Sequence, residues 1–262
     1  MKTNIIALLL SASLSLMGCA SQTSKSDTEE IEITWDNSLV LPPADGITPN
    51  IGVAGAFAGI VNGKLVVAGG ANFPDGYPWT GAKKVWHSDA YCMDMTTGQW
   101  TVTPGMLQRP LAYGVSIQLP DGILMIGGGN ATEIVKSVNL LKEADGKLVI
   151  DSISYPDLPV PLTNSTGALT DNRIYLAGGV TDINDDRSTH TFLMLDLTEP
   201  DQGWQSLPAW PGTPLGFSTS AGIDGNFYLF SGRDFAPGQD LVMHDEGYCF
   251  DAESGTWTKL DN

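Results

Sequence analysis

The sequence predicts an all-β fold made of repeated four-stranded units, and three observations predict it. Charged residues make up only 16% of the 262 residues while glycine occurs 30 times and proline 16 times, a balance that favours many short strands joined by turns. A short apolar run closing on glycine returns at a nearly constant distance: "KLVVAGG" ends at Gly70, "ILMIGG" at Gly128, "RIYLAGG" at Gly179 and "FYLFSG" at Gly232, separations of 58, 51 and 53 residues. Each copy has the same surroundings. A turn precedes the run ("NGK", "PDG", "DNR", "DGN"), a variable loop follows it, and a second apolar strand comes next ("AYCMDM", "VNLL", "FLMLDL", "GYCFDA").

A period near 50 residues is that of kelch repeats, so the expected architecture is a kelch-type β-propeller with four blades visible. A four-stranded antiparallel sheet cannot bury both faces alone, so such sheets pack side by side around a central channel. In that setting the glycines at the end of each second strand allow close backbone approach near the axis. Trp100, Trp204 and Trp257, each late in its copy, are expected to fill the gaps between neighbouring blades. Cys92 and Cys249 hold matching places in two different copies, beyond the roughly 4.4–6.8 Å Cα separation a disulfide requires, and are expected to be buried, unpaired thiols.

Residues 1–19 carry a basic residue at Lys2, run apolar from Ile5 to Leu16 and end in "LMGC". The run is shorter than the roughly 20 apolar residues that span a bilayer, so it reads as an export signal. "LMGC" resembles the lipobox of bacterial lipoproteins, which makes Cys19 the expected lipidation site; the other reading is an ordinary signal peptide with an incidental cysteine. Residues 20–32 are polar and serine-rich and read as a flexible tether, with the propeller over 33–262. The expected location is periplasmic, with a lipid anchor to the outer membrane as the only membrane contact.

The stretch "ITWDNSLVLPPADG", Ile33 to Gly46, reads as an isolated fourth strand. Propellers commonly close by letting one terminus complete the blade begun at the other, because a closed ring has no exposed sheet edge. The last copy already holds its own fourth strand, "GTWTKL". The expected arrangement is a chain cut short of at least one blade, truncated from a six-bladed ring; the alternative is a self-contained four-bladed ring with a spare strand.

With 13 basic against 30 acidic residues the net charge is −17, a field that repels nucleic acid and anionic membrane surfaces. An anionic ligand would need a local cationic pocket, and the chain has four arginines to build one: Arg109, Arg173, Arg187 and Arg233. His87, His190 and His244 fall in different copies, so no metal site is expected. "DINDDRS", Asp182 to Ser188, lacks the glycine and distal Glu of a calcium loop and reads as a solvated acidic loop. No phosphate-cradling glycine loop stands out, and no cofactor is expected.

The segments "GVAGAFAGIVNGKLVVAGGANFP" (Gly52 to Pro74), "KKVWHSDAY" and "RPLAYGVSIQLPDGILMIGGG" (Arg109 to Gly129) resemble the kelch-type sialic acid mutarotases, the N-acetylneuraminate epimerases, in their cyclically permuted branch. The resemblance covers residues 51–262 and is most specific over the first hundred. It implies a six-bladed periplasmic propeller that interconverts the α and β anomers of N-acetylneuraminate by opening the pyranose to a keto acid and reclosing it. That chemistry needs a base for the anomeric hydroxyl, an acid for the ring oxygen and a cation for the carboxylate. The family's proposed catalytic pair is a Glu followed six residues later by an Arg, and no Glu here has an Arg at that spacing, which leaves the catalytic residues unassigned. The alternative is a non-catalytic kelch propeller that binds glycans or proteins.

Propeller ligands sit at one mouth of the channel, on the loops that lead into each blade and those after its second strand. Arg109 leads into the second copy and matches the family's Arg there; it can take a carboxylate bidentately or bond loop carbonyls. Tyr113 can face the channel or pack in the core. Asn72 and Asn130 follow their glycine pairs at equal offset and can bond sugar hydroxyls or serve as turn residues. Arg233 directly follows its Ser-Gly at a loop start expected to point to the channel. The long loop from Pro74 to Asp89 carries Trp79, Lys83, Lys84, Trp86 and His87; Trp86 is taken as a sugar-binding residue, and the loop also reads as a lid on the rim.

Overall fold

The computed structural model describes residues 34, 39–185, 187–234 and 241–261. The export segment, Cys19, the tether and most of the expected isolated strand lie outside the described residues. Four consecutive antiparallel sheets of four strands follow one another. Blade 1 comprises β1 (Phe57–Val61), β2 (Lys64–Ala68), β5 (Ala90–Asp94) and β6 (Trp100–Thr103), with a small hairpin of β3 (Ala71–Asn72) and β4 (Val85–Trp86) inserted. Blade 2 is β7 (Val115–Leu119), β8 (Gly122–Ile126), β9 (Val138–Ala144) and β10 (Lys147–Asp151). Blade 3 is β11 (Thr166–Thr170), β12 (Arg173–Ala177), β13 (Phe192–Asp196) and β14 (Gln205–Ser206), and blade 4 is β15 (Thr219–Ile223), β16 (Asn226–Asp234), β17 (Val242–Asp251) and β18 (Thr256–Lys259). The described residues contain no α-helix, and none of their helical turns is long and apolar enough to cross a membrane.

The turn residues explain the hairpins. Asn62-Gly63, Asp171-Asn172 and Asp224-Gly225 all have positive φ at both central positions, the geometry whose twist matches that of the flanking strands. Strand alternation then sends successive side chains to opposite faces, and both faces of blades 2 and 3, with one face each of blades 1 and 4, meet a neighbouring blade. Ile123, Met125 and Leu141 of blade 2 pack with Val66, Ala68 and Cys92 of blade 1. The other face of blade 2 meets Ile174, Leu176 and Leu193 of blade 3. Tyr175 and Phe192 of blade 3 meet Phe227, Leu229, Tyr248 and Phe250 of blade 4.

The glycine pairs do what the repeat implied. Gly69, Gly127 and Gly178 have φ of 67°, 62° and 66°, and a Cβ on any of them would overlap the carbonyl oxygen of Leu111, Leu162 or Leu215. The second glycine of each pair donates its N–H to that same carbonyl, at 2.8 Å in all three cases (Gly70 to Leu111, Gly128 to Leu162, Gly179 to Leu215). The motif is therefore a backbone clasp between one blade and the loop leading into the next. Two tryptophans add a second clasp: Trp204 Nε1 donates to the Pro156 carbonyl at 2.9 Å and Trp257 Nε1 to the Pro208 carbonyl at 2.8 Å, each reaching back to the exit of the preceding blade. Trp100 is half-buried on β6.

Two expectations change. Cys92 is buried but Cys249 is only partly so, because Cys249 lies on the face of blade 4 opposite its contact with blade 3, whereas Cys92 packs against blade 2. Arg233 does not start a loop: β16 runs through it to Asp234, continuing past a register shift between Phe230 and Gly232 to pair with the lengthened β17. The described part of the expected isolated strand, Leu39 to Pro43, pairs with no ladder; Pro42 has no N–H to offer, and its carbonyl accepts from Asn50 Nδ2 at 3.2 Å.

Candidate functional site

Two residues before its first strand, each blade has a residue in the left-handed region: Gly55 (φ 64°), Tyr113 (62°), Asn164 (54°) and Phe217 (56°). The residue before each pairs in an antiparallel bridge with the residue after the glycine pair, giving Ala54 with Ala71, Ala112 with Gly129, Thr163 with Val180 and Gly216 with Arg233. These left-handed residues are joined in series. Tyr113 N–H donates to the Gly55 carbonyl at 2.7 Å, Asn164 N–H to the Tyr113 carbonyl at 2.8 Å, and Phe217 N–H to the Asn164 carbonyl at 2.8 Å. Non-glycine residues held at positive φ concentrate where a structure over-determines them, and here the arrangement turns Tyr113, Asn164 and Phe217 towards one space.

That space is a cavity of about 330 Å³ whose wall draws on all four blades. Tyr113, Asn164 and Phe217 line it together with Lys84, Trp86 and Arg233. Arg233 lies over Phe217, with its guanidinium carbon 3.7 Å from the ring centroid. The positions equivalent to Arg233 in the other blades are Ala71, Gly129 and Val180, so the sequence places a large cation at just one of four equivalent sites. Lys84 sits across from Tyr113, its ammonium 4.8 Å from that ring's centroid. Asp182 is the carboxylate on the wall, and its Oδ1 accepts from the Asn184 N–H at 2.9 Å. Among the described residues the wall carries two cations and one carboxylate, in a chain of net charge −17.

Of the residues singled out from sequence, Trp86, Tyr113, Asn130 and Arg233 meet at this cavity. Asn130 spends its side chain locally: Oδ1 accepts from the Thr132 and Glu133 N–H groups at 2.9 and 3.2 Å, and Nδ2 donates to the Pro110 carbonyl at 3.0 Å. It serves as a turn residue at the cavity edge. Arg109 lines a separate cavity of about 250 Å³ between blades 1 and 2 and is paired with Glu133 at 2.8 Å. Asn72 borders another space, beside residues 44–53; its Oδ1 meets His87 Nε2 at 2.9 Å and its Nδ2 donates to the Gly52 carbonyl at 2.9 Å. Trp79 stacks on Tyr77 at 4.8 Å in the exposed part of the long loop. Among the described residues no cluster of His, Cys, Asp and Glu could hold a metal ion.

Asn164, Phe217 and Asp182 were not singled out as site residues. The first two share a signal that was available, since "AYG", "TNS" and "GFS" stand at the same offset before the first strand of their copies. Asp182 falls in the acidic loop read as solvated, and its position on the cavity wall follows only from where blade 3 places that loop.

Comparison with known proteins agrees with this architecture. A curated N-acetylneuraminate epimerase from Salmonella arizonae is 40% identical over 130 residues, which is 46% of this chain and 33% of that protein. One from Yersinia pestis is 42% identical over 132 residues, 45% of this chain and 32% of that protein. The matching stretch thus spans about a third of the length of these relatives. The solved structure of YjhT superposes with a TM-score of 0.65 over 80% of this chain and 70% of that one at 11% identity, a likeness of fold. The profile of the N-acetylneuraminate epimerase family matches residues 17–150 and 155–262, and the chain belongs to that family.

Proposed function

We propose that the chain binds N-acetylneuraminate or a related acidic sugar in the cavity between its four blades and speeds the interchange of its α and β anomers. The observation that carries this reading is the convergence of Lys84 and Arg233 on one cavity in a chain with only 13 basic residues. A carboxylate entering there meets two cations, and aromatic faces at Trp86, Tyr113 and Phe217 suit the apolar face of a pyranose. Ring opening requires a group that accepts the proton of the anomeric hydroxyl, and Asp182 is the described wall residue with that chemistry. The proton returns to the ring oxygen as the C–O bond breaks, so the reaction needs neither metal nor redox partner. Residues 1–32 support export and lipidation at Cys19, which would put this activity in the periplasm on the outer membrane.

The cations and rings of the wall can bind an acidic sugar without any acid–base group, which supports a second reading, a propeller that binds acidic glycans without catalysis. Anomer exchange followed by NMR, with and without protein, separates the two. We expect faster exchange in the presence of protein, reduced at least tenfold by Asp182→Asn. Binding without any rise in exchange rate supports the non-catalytic reading.

A further inference from the structure

The hairpin of β3 and β4 interrupts blade 1, and among the described residues no separate two-stranded sheet interrupts the other three blades. Its stem is fixed by the pairing of Ala71 with Trp86 and of Asn72 with Val85, and by the His87 N–H donating to the Gly70 carbonyl at 2.9 Å. Lys84 stands one residue before β4. Its ammonium lies 4.8, 5.5 and 5.6 Å from the ring centroids of Tyr113, Phe73 and Trp86. Each distance is within the roughly 6 Å over which a ring face attracts a cation.

Among the described residues six other cations are held differently from Lys84, by carboxylates. Lys64, Lys142, Lys259, Arg109, Arg173 and Arg187 each stand against an Asp or Glu. Among the described residues no carboxylate forms an ion pair with Lys84; its partners are the three rings. A carboxylate both positions and neutralises an ammonium, whereas a ring positions it through its quadrupole and adds no net charge. Lys84 is therefore held in place at the cavity wall with its full charge unspent. Two of its three rings, those of Trp86 and Tyr113, belong to the wall as well.

We propose that Lys84 determines the specificity of this cavity for an anionic sugar, taking the ligand's carboxylate and discriminating against neutral sugars of the same shape, with Phe73, Trp86 and Tyr113 as its positioning box. Arg233, over the Phe217 ring, is the second cation of the wall. The proposal rests on the reading of the cavity as an acidic-sugar site. No covalent step is involved.

The test is calorimetric titration of the full chain with N-acetylneuraminate and with its neutral carboxamide, for the wild type, Lys84→Met and Lys84→Arg, with circular dichroism and thermal melting as checks of fold. The wild type is expected to prefer the acid by tenfold or more. Lys84→Met is expected to weaken the acid ten- to a hundredfold while leaving the carboxamide within twofold, and Lys84→Arg to retain some of the preference. An unchanged acid-to-amide ratio in Lys84→Met overturns the proposal and leaves the cavity reading standing. Equal weakening of both ligands in a folded Lys84→Met also overturns it, because that is the signature of a structural role. A wild type that binds neither ligand overturns the cavity reading itself, and this proposal with it.

Discussion

The backbone N–H of Asn164 donates to the carbonyl oxygen of Tyr113 at 2.8 Å, joining the loops that lead into blades 2 and 3. Both residues have positive φ, and the same bond recurs from Tyr113 to Gly55 and from Phe217 to Asn164. The cavity wall is thus a chain of backbone bonds from which side chains project, and its shape depends on the left-handed residue each loop supplies.

Gly55 is the one glycine in that series, and a Cβ there would run into the Tyr113 ring. Gly55→Ala is expected to displace the ring and withdraw one wall of the box around Lys84. We expect a loss of about 1–2 kcal/mol in stability from the φ of 64° alone. Affinity for the acidic sugar should fall roughly tenfold, about 1.4 kcal/mol. Urea unfolding and calorimetric titration of the same variant measure the two effects.

The blade-to-blade clasp predicts a contrast between two glycines of nearly equal conformation. Gly178 (φ 66°) abuts the Leu215 carbonyl, while Gly98 (φ 68°) has nothing within 4 Å of where a Cβ would sit. Gly98→Ala is expected to cost about 1 kcal/mol of conformational strain. Gly178→Ala must also push the two backbones apart and lose the neighbouring Gly179 to Leu215 bond, and should cost more than about 3 kcal/mol. Denaturant midpoints for the two variants test the difference.

Trp257 packs among Phe192, Trp210, Phe227 and Phe250, and its Nε1 donates to Pro208. Trp257→Phe keeps an aromatic ring and loses the hydrogen bond, for an expected cost of about 1–2 kcal/mol. Trp257→Ala opens the seam between blades 3 and 4 and should cost about 3–5 kcal/mol. Equilibrium unfolding in urea discriminates the two.

Tyr248 is buried and donates to Glu246 Oε2 at 2.6 Å; burial first, and then the Glu246 carboxylate, push its phenol up to about 12. A group whose folded pKa is raised stabilises the fold fully below its unfolded value, near 10 for tyrosine, and that contribution is lost as pH rises through the folded value. Stability should therefore fall between about pH 10 and 12. The fall should be shallower in Tyr248→Phe, as measured by melting temperature against pH.

Much of the fold was legible because the repeat encodes backbone necessity. Gly69, Gly127 and Gly178 each face a leucine carbonyl, and no other residue fits there, so the spacing survives in sequence. The site was less legible. Arg233, Tyr113 and Trp86 stood out by residue type and do meet at the cavity. Arg109 looked equally suitable, yet its loop carries it to Glu133 and a different space, which depends on the path of the chain between Leu107 and Ala112. Arg233 lines the cavity from within a strand and not from a loop start, since the lengthened pairing of β16 with β17 is set by residues beyond the glycine that the repeat does not specify.

The claim on which the functional account rests is that the cavity takes the carboxylate of an acidic sugar. Its most direct test is calorimetric titration of N-acetylneuraminate into the wild type and into Arg233→Gln. We expect saturable binding to the wild type, weakened tenfold or more, about 1.4 kcal/mol, in a variant that keeps its circular dichroism. An absence of binding to the folded wild type, or an affinity that Arg233→Gln leaves unchanged, would contradict it.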